Sequence, residues 1–226
     1  MSGFFKSSIG RKVAMALSAF FLMFFLIIHL AVNITSVFSP QLFNTLSHFM
    51  GTNPLVQLAL QPVLVFGVIF HFVMGFILEI QNRKAIGVSY AKNNGAANST
   101  WVSRNMIYSG LVILAFLVLH FIDFWVPEMK VKYIEGDMTG LIPGTQEFRY
   151  YEELQHKFLN PYRVGAYILA FVFLLLHLLH GFTSAFQSMG STAGRKKTLM
   201  VVGKIYSYAI VLGFVFVALW HHFIHH

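Results

Sequence analysis

The chain contains no cysteine. Disulfides, thiolate ligands and cysteine-held iron–sulfur clusters are therefore excluded. Any metal or cofactor must be held by histidine or by oxygen ligands. Charge is scarce too: 11% of the 226 residues are Asp, Glu, Lys or Arg, too few to clothe a soluble domain of this size. No segment gathers basic residues into a domain outside the apolar runs, so the net charge of +8 is no argument for nucleic-acid binding. No long-period repeat is present, which removes solenoids.

What the chain has in excess is apolar sequence. It is 57% hydrophobic with a mean hydropathy of +0.67. Val13–Ile34, Leu55–Ile80, Met106–Val126, Val164–Phe186 and Leu199–Ile224 are nearly unbroken apolar runs. About 20 apolar residues cross a hydrocarbon core of roughly 30 Å. In lipid each segment must satisfy its own backbone, which demands helix. The runs predict an all-α transmembrane bundle of five spans, 13–36, 55–80, 106–126, 164–186 and 199–222, forming one domain over 1–226. The first run is longer than a signal-peptide core and no small-x-small site follows it, so it reads as a retained span.

Basic residues set the expected orientation. Lys6, Arg11, Lys12, Arg83, Lys84, Lys92, Arg104, Arg195, Lys196, Lys197 and Lys204 fall on one side, and Lys130, Lys132, Arg149, Lys157 and Arg163 on the other. That bias predicts a cytoplasmic N-terminus and an external C-terminus. Between spans, Ser39-Pro40 opens an apolar pattern at helical spacing, which predicts a short surface helix within 37–54. The inner connection 81–105, with its polar run 93–99, reads as a flexible loop. The long connection 127–163 is rich in aromatics and reads as a lid packed over the outer end of the bundle.

Four histidines carry the chemistry: His29, His71, His120 and His177, one in each of the first four runs. Ionisable groups inside a bilayer are costly and mark function by default. At 1.5 Å per residue, His29 and His120 lie roughly 21–24 Å above the inner edge. His71 and His177 lie about 20–24 Å below the outer edge, because their spans run the other way. The arithmetic pairs His29 with His120 in an outer layer and His71 with His177 in an inner one. Haem iron takes axial imidazoles on opposite faces, and two pairs on four helices fit two bis-histidine b haems. Zinc wants three or four ligands at one depth. His180, three residues after His177, shares its helix face and is the alternative ligand. His48, His156, His221, His222, His225 and His226 read as surface or interfacial residues.

This layout resembles the dihaem cytochrome b membrane anchor of succinate:quinone oxidoreductases, in the five-helix single-polypeptide form. The likeness rests on one histidine in each of the first four helices and none in the core of the fifth. It also rests on Ser18-Ala19 through His29-Leu30-Ala31-Val32-Asn33, and on the run from His177 to Gly181 and Gly190. The family spacing selects His177 over His180. The resemblance implies a membrane subunit of succinate dehydrogenase or fumarate reductase in the bacterial inner (cytoplasmic) membrane. Its two b haems would connect an iron–sulfur subunit to a membrane quinone, menaquinone in this type. A flavoprotein subunit would hold the dicarboxylate site. The quinone site would lie near the outer haem, with Gln57, Gln61 and Asp123 as candidates. Asp123 stands at the outer end of the third run, where capping at the interface is its ordinary role. Leu175 stands where some fumarate reductases carry a proton-relay carboxylate. Arg11, Lys12, Ser18, Arg83 and Lys84 are candidates to hold inner-haem propionates.

Overall fold

The computed structural model describes residues 7–85, 106–190 and 194–224. Lys6, Lys92, Arg104, the polar run 93–99, His225 and His226 lie outside them. Among the described residues eight α-helices follow one another: α1 (Ser8–Phe38), α2 (Pro40–Thr52), α3 (Gln61–Ala85), α4 (Met106–His120), α5 (Val126–Tyr133), α6 (Tyr150–Phe158), α7 (Pro161–Ser188) and α8 (Lys196–Phe223). Two wide π turns, Val56–Leu60 and Phe121–Trp125, join α3 and α4–α5 into longer rods. Among the described residues five rods are long and apolar enough to cross a membrane: α1, Val56–Lys84, Met106–Tyr133, α7 and α8. The helices overrun the apolar runs at several ends, because helix continues into the interface until a cap stops it.

Local chemistry sets these limits. Ser7 caps α1, its hydroxyl accepting from the Gly10 amide at 2.9 Å. Ser39 caps α2 with Pro40 in the first turn, and Asn160 caps α7 with Pro161 in the first turn. Such caps satisfy amides that have no helical partner. Both π turns have the same cause. Pro62 and Pro127 each follow a π turn by two residues, and a proline inside a helix removes one donor and crowds the carbonyl four residues back. The chain answers with a five-residue step, Gln61 N–H to Val56 O and Val126 N–H to Phe121 O.

α7 and α8 form the most buried rods, with α1 packed on both. Gly203 lies under Phe182, whose ring carbon would stand 2.7 Å from an added Cβ, and Gly213 lies under Leu30 at the same distance. Small residues let helices in lipid approach closely and gain dispersion contacts. α2, α5 and α6 form a cap over one end of the bundle. Asn44 on α2 donates to Phe148 O and accepts from the Tyr151 amide, each at 2.8 Å.

The cap contains a buried ionic cluster. Lys132 is 3% exposed. It pairs with Glu128 at 2.6 Å and donates to Gly51 O on α2. Arg149 bridges Glu128 and Glu153. The aromatic lid expected over 127–163 is thus a helical cap closed by charge.

Candidate functional site

The four histidines meet in two pairs. His29 on α1 faces His120 at the end of α4, with ring centres 5.7 Å apart. His71 on α3 faces His177 on α7, with ring centres 6.2 Å apart. Tyr167 packs on His120, and His177 lies ten residues further along the same helix. That places the second pair roughly 15 Å deeper, measured from the cap.

These distances test the fit of an iron porphyrin. With a metal–nitrogen bond of about 2 Å on each side, trans imidazoles on one metal have ring centres roughly 6 Å apart. Two ligands at a tetrahedral metal would stand closer, at about 5 Å. Both pairs, at 5.7 and 6.2 Å, lie nearer the trans value. Among the described residues, no group of three or more His, Asp or Glu side chains is placed to hold a metal ion. Each donor set thus offers two imidazoles, short of the three or four ligands that a zinc site takes.

The deep pair is held by serines. Ser18 Oγ on α1 lies 3.0 Å from His71 Nδ1, and Ser109 Oγ on α4 lies 3.1 Å from His177 Nδ1. Both serines are buried. Sequence reading placed Ser18 with the propionate candidates and passed over Ser109; the only signal was a lone hydroxyl inside an apolar run. His180 Nε2 lies 3.0 Å from Ser184 Oγ, one turn further along α7.

The cap-side pair is set among aromatics. Phe25 stacks on His29 at 5.3 Å and Phe116 on His120 at 5.8 Å. Phe124 and Phe214 close the sides. Asn33 Nδ2 donates to the His29 carbonyl at 2.8 Å and stands 3.5 Å from its Nδ1. His120 Nδ1 is buried with no hydrogen-bond partner among the described residues.

Asp123 does not cap an interface. It is 2% exposed, accepts a hydrogen bond from Tyr167 Oη at 2.9 Å and pairs with Arg163 at 3.2 Å. The π turn widens the helix where this carboxylate sits, one turn beyond His120. Asp123 is also among the residues lining a cleft of about 340 Å³, with Glu152, Glu153, His156 and Lys157. Gln57 and Gln61 belong to the other π turn. Gln57 Nε2 donates to Met50 O at 2.7 Å, which ties it to the end of α2. Gln61 is half-buried at the start of α3.

Two C-terminal histidines depart from the surface role expected of them. His221 is fully buried against Ser36 at 2.8 Å, and His222 Nδ1 donates to Phe158 O at 2.9 Å. They fasten α8 to α1 and to the cap. His48 is half-buried, stacked on Phe148 at 4.2 Å. Comparison with protein-family models, curated proteins and solved structures finds no match to this chain.

Proposed function

We propose that this chain is a dihaem cytochrome b. It serves as membrane anchor and electron-transfer subunit of a succinate:quinone oxidoreductase. The carrying observation is the pair of facing imidazole couples, at 5.7 and 6.2 Å, at two depths of one apolar bundle. His29 and His120 would hold one b haem, and His71 and His177 the other. Held by two imidazoles each, such groups would supply one-electron transfer rather than oxygen chemistry.

The residues around the imidazoles do the rest. Phe25, Phe116, Phe124 and Phe214 exclude water from the cap-side pair. Asp123, one turn beyond His120 and among the residues lining the cleft, is the acidic residue nearest the quinone site in this reading. Gln57 and Gln61 line the same end of the bundle.

In this reading the cap faces outward and the N-terminus lies in the cytoplasm, as the basic bias requires. Iron–sulfur and flavoprotein subunits dock at the opposite end, and menaquinone reacts at the cap end of a bacterial cytoplasmic membrane. The dicarboxylate chemistry belongs to the flavoprotein. A pyridine haemochrome assay tests the proposal and should return two b haems per chain. His29→Ala and His120→Ala should remove one spectral component, and His71→Ala and His177→Ala the other. A colourless chain, or a component lost by mixing the couples, overturns it.

A further inference from the structure

The two serines beside the deep pair share one geometry. Ser18 donates its hydroxyl hydrogen to Met15 O at 2.8 Å, and Ser109 donates its own to Met106 O at 2.8 Å. A hydroxyl has a single hydrogen, so each oxygen turns lone pairs toward its imidazole. The ring nitrogen it meets, Nδ1 of His71 or of His177, must then be the one that carries hydrogen. Nε2 is left bare on the opposite edge of each ring. The histidines lie on α3 and α7, whereas the serines lie on α1 and α4, so four helices converge on this layer.

We propose that Ser18 and Ser109 are positioning residues that fix the Nδ1–H tautomer of His71 and His177, present both Nε2 lone pairs to one metal, and tune its redox potential. The inference rests on the haem reading for the ligand, but the tautomer belongs to the protein alone. Ligating histidines commonly pass their second N–H to an acceptor, which fixes the ring and raises its basicity. A more basic imidazole favours ferric iron. The cap-side pair has no such hydroxyl: His29 Nδ1 has the Asn33 amide at 3.5 Å and His120 Nδ1 has no partner among the described residues. The serines therefore act on one haem and spare the other.

The test has two arms, both on the full chain. In the first, ¹⁵N-histidine NMR is recorded on chain produced without haem, at neutral pH. His71 and His177 should show the Nδ1–H tautomer. Ser18→Ala should disturb His71 and leave His177, and Ser109→Ala the reverse. In the second, haem-loaded chain is titrated potentiometrically and examined by low-temperature EPR. Each Ala variant should raise the midpoint potential and alter the low-spin signal of the component that His71→Ala and His177→Ala abolish. Ser18→Thr and Ser109→Thr, which keep the hydroxyl, should restore both. Nε2–H tautomers in the wild-type chain, or Ala variants that leave the deep component unshifted or shift the cap-side one, overturn the proposal. A wild-type chain with the expected tautomers that binds no haem overturns the haem reading instead and leaves the serine–imidazole geometry standing.

Discussion

Tyr167 donates its phenolic hydrogen to Asp123 at 2.9 Å, and Arg163, one turn earlier on α7, meets the same carboxylate at 3.2 Å. Two groups from one helix thus neutralise a carboxylate buried on its neighbour. Taking away one partner of a buried charged acceptor costs about 1–3 kcal/mol. Tyr167→Phe should lower the melting temperature of the detergent-solubilised chain accordingly. Tyr162→Phe, at an exposed tyrosine five residues away, should leave it unchanged.

Under the proposed dihaem reading, His180→Ala should keep both haem components. Its Nε2 is engaged by Ser184 Oγ, whereas His177 faces His71. Visible spectra of the reduced variant check this. Loss of the component shared by His71 and His177 would move the ligand to His180.

Overpacking between α7 and α8 should be expensive. A Cβ on Gly203 would stand 2.7 Å from Phe182 Cδ1 and 3.3 Å from its Cβ, so the ring has no free end to swing away. Gly203→Ala should destabilise the bundle by about 1–3 kcal/mol. Gly165→Ala, with nothing within 4 Å, should not. Steric-trap or thermal unfolding measures both.

The cap should weaken in mild acid. Burial, then Lys132, hold the His48 imidazole below its ordinary value, against a smaller opposite pull from Glu128. Burial and Glu128 push the Tyr150 phenol up to about 12, so it keeps its hydrogen and donates to His48 Nδ1 at 3.3 Å. The unfolded chain protonates His48 near pH 6.5 while the folded cap resists. Its contribution is complete above about pH 6.5 and is lost as pH falls through the lower folded-state value. Melting curves from about pH 8 to pH 5 should fall more steeply for wild type than for His48→Gln. Equal slopes would assign the acid sensitivity elsewhere.

The rods were legible because hydrocarbon leaves few choices: apolar length forces helix, and alternating direction stacks histidines at two depths. Ser39-Pro40 announced α2 for an equally local reason. What escaped was rotation. A helix that is apolar all round has no polar face to show which side meets a neighbour. Burial of Asp123 and His221, and the approach of Ser109 to His177, depend on that angle. The ionic cluster of Lys132, Glu128 and Arg149 escaped because its members lie 21 positions apart or less in a loop whose fold is tertiary. The π turns were written in Pro62 and Pro127, but a proline announces a fault without saying whether the helix breaks, kinks or widens.

The wide turn at Phe121–Trp125 makes register a structural variable. It spends one residue more than a regular turn, and each residue is about 100° of rotation. Deleting one residue between 121 and 125 would only restore a regular turn and keep the register beyond it; deleting two would swing everything after them by about that angle. Lys132 and Glu128 would then leave α2, and the lid would lose its lock although every residue forming it remained.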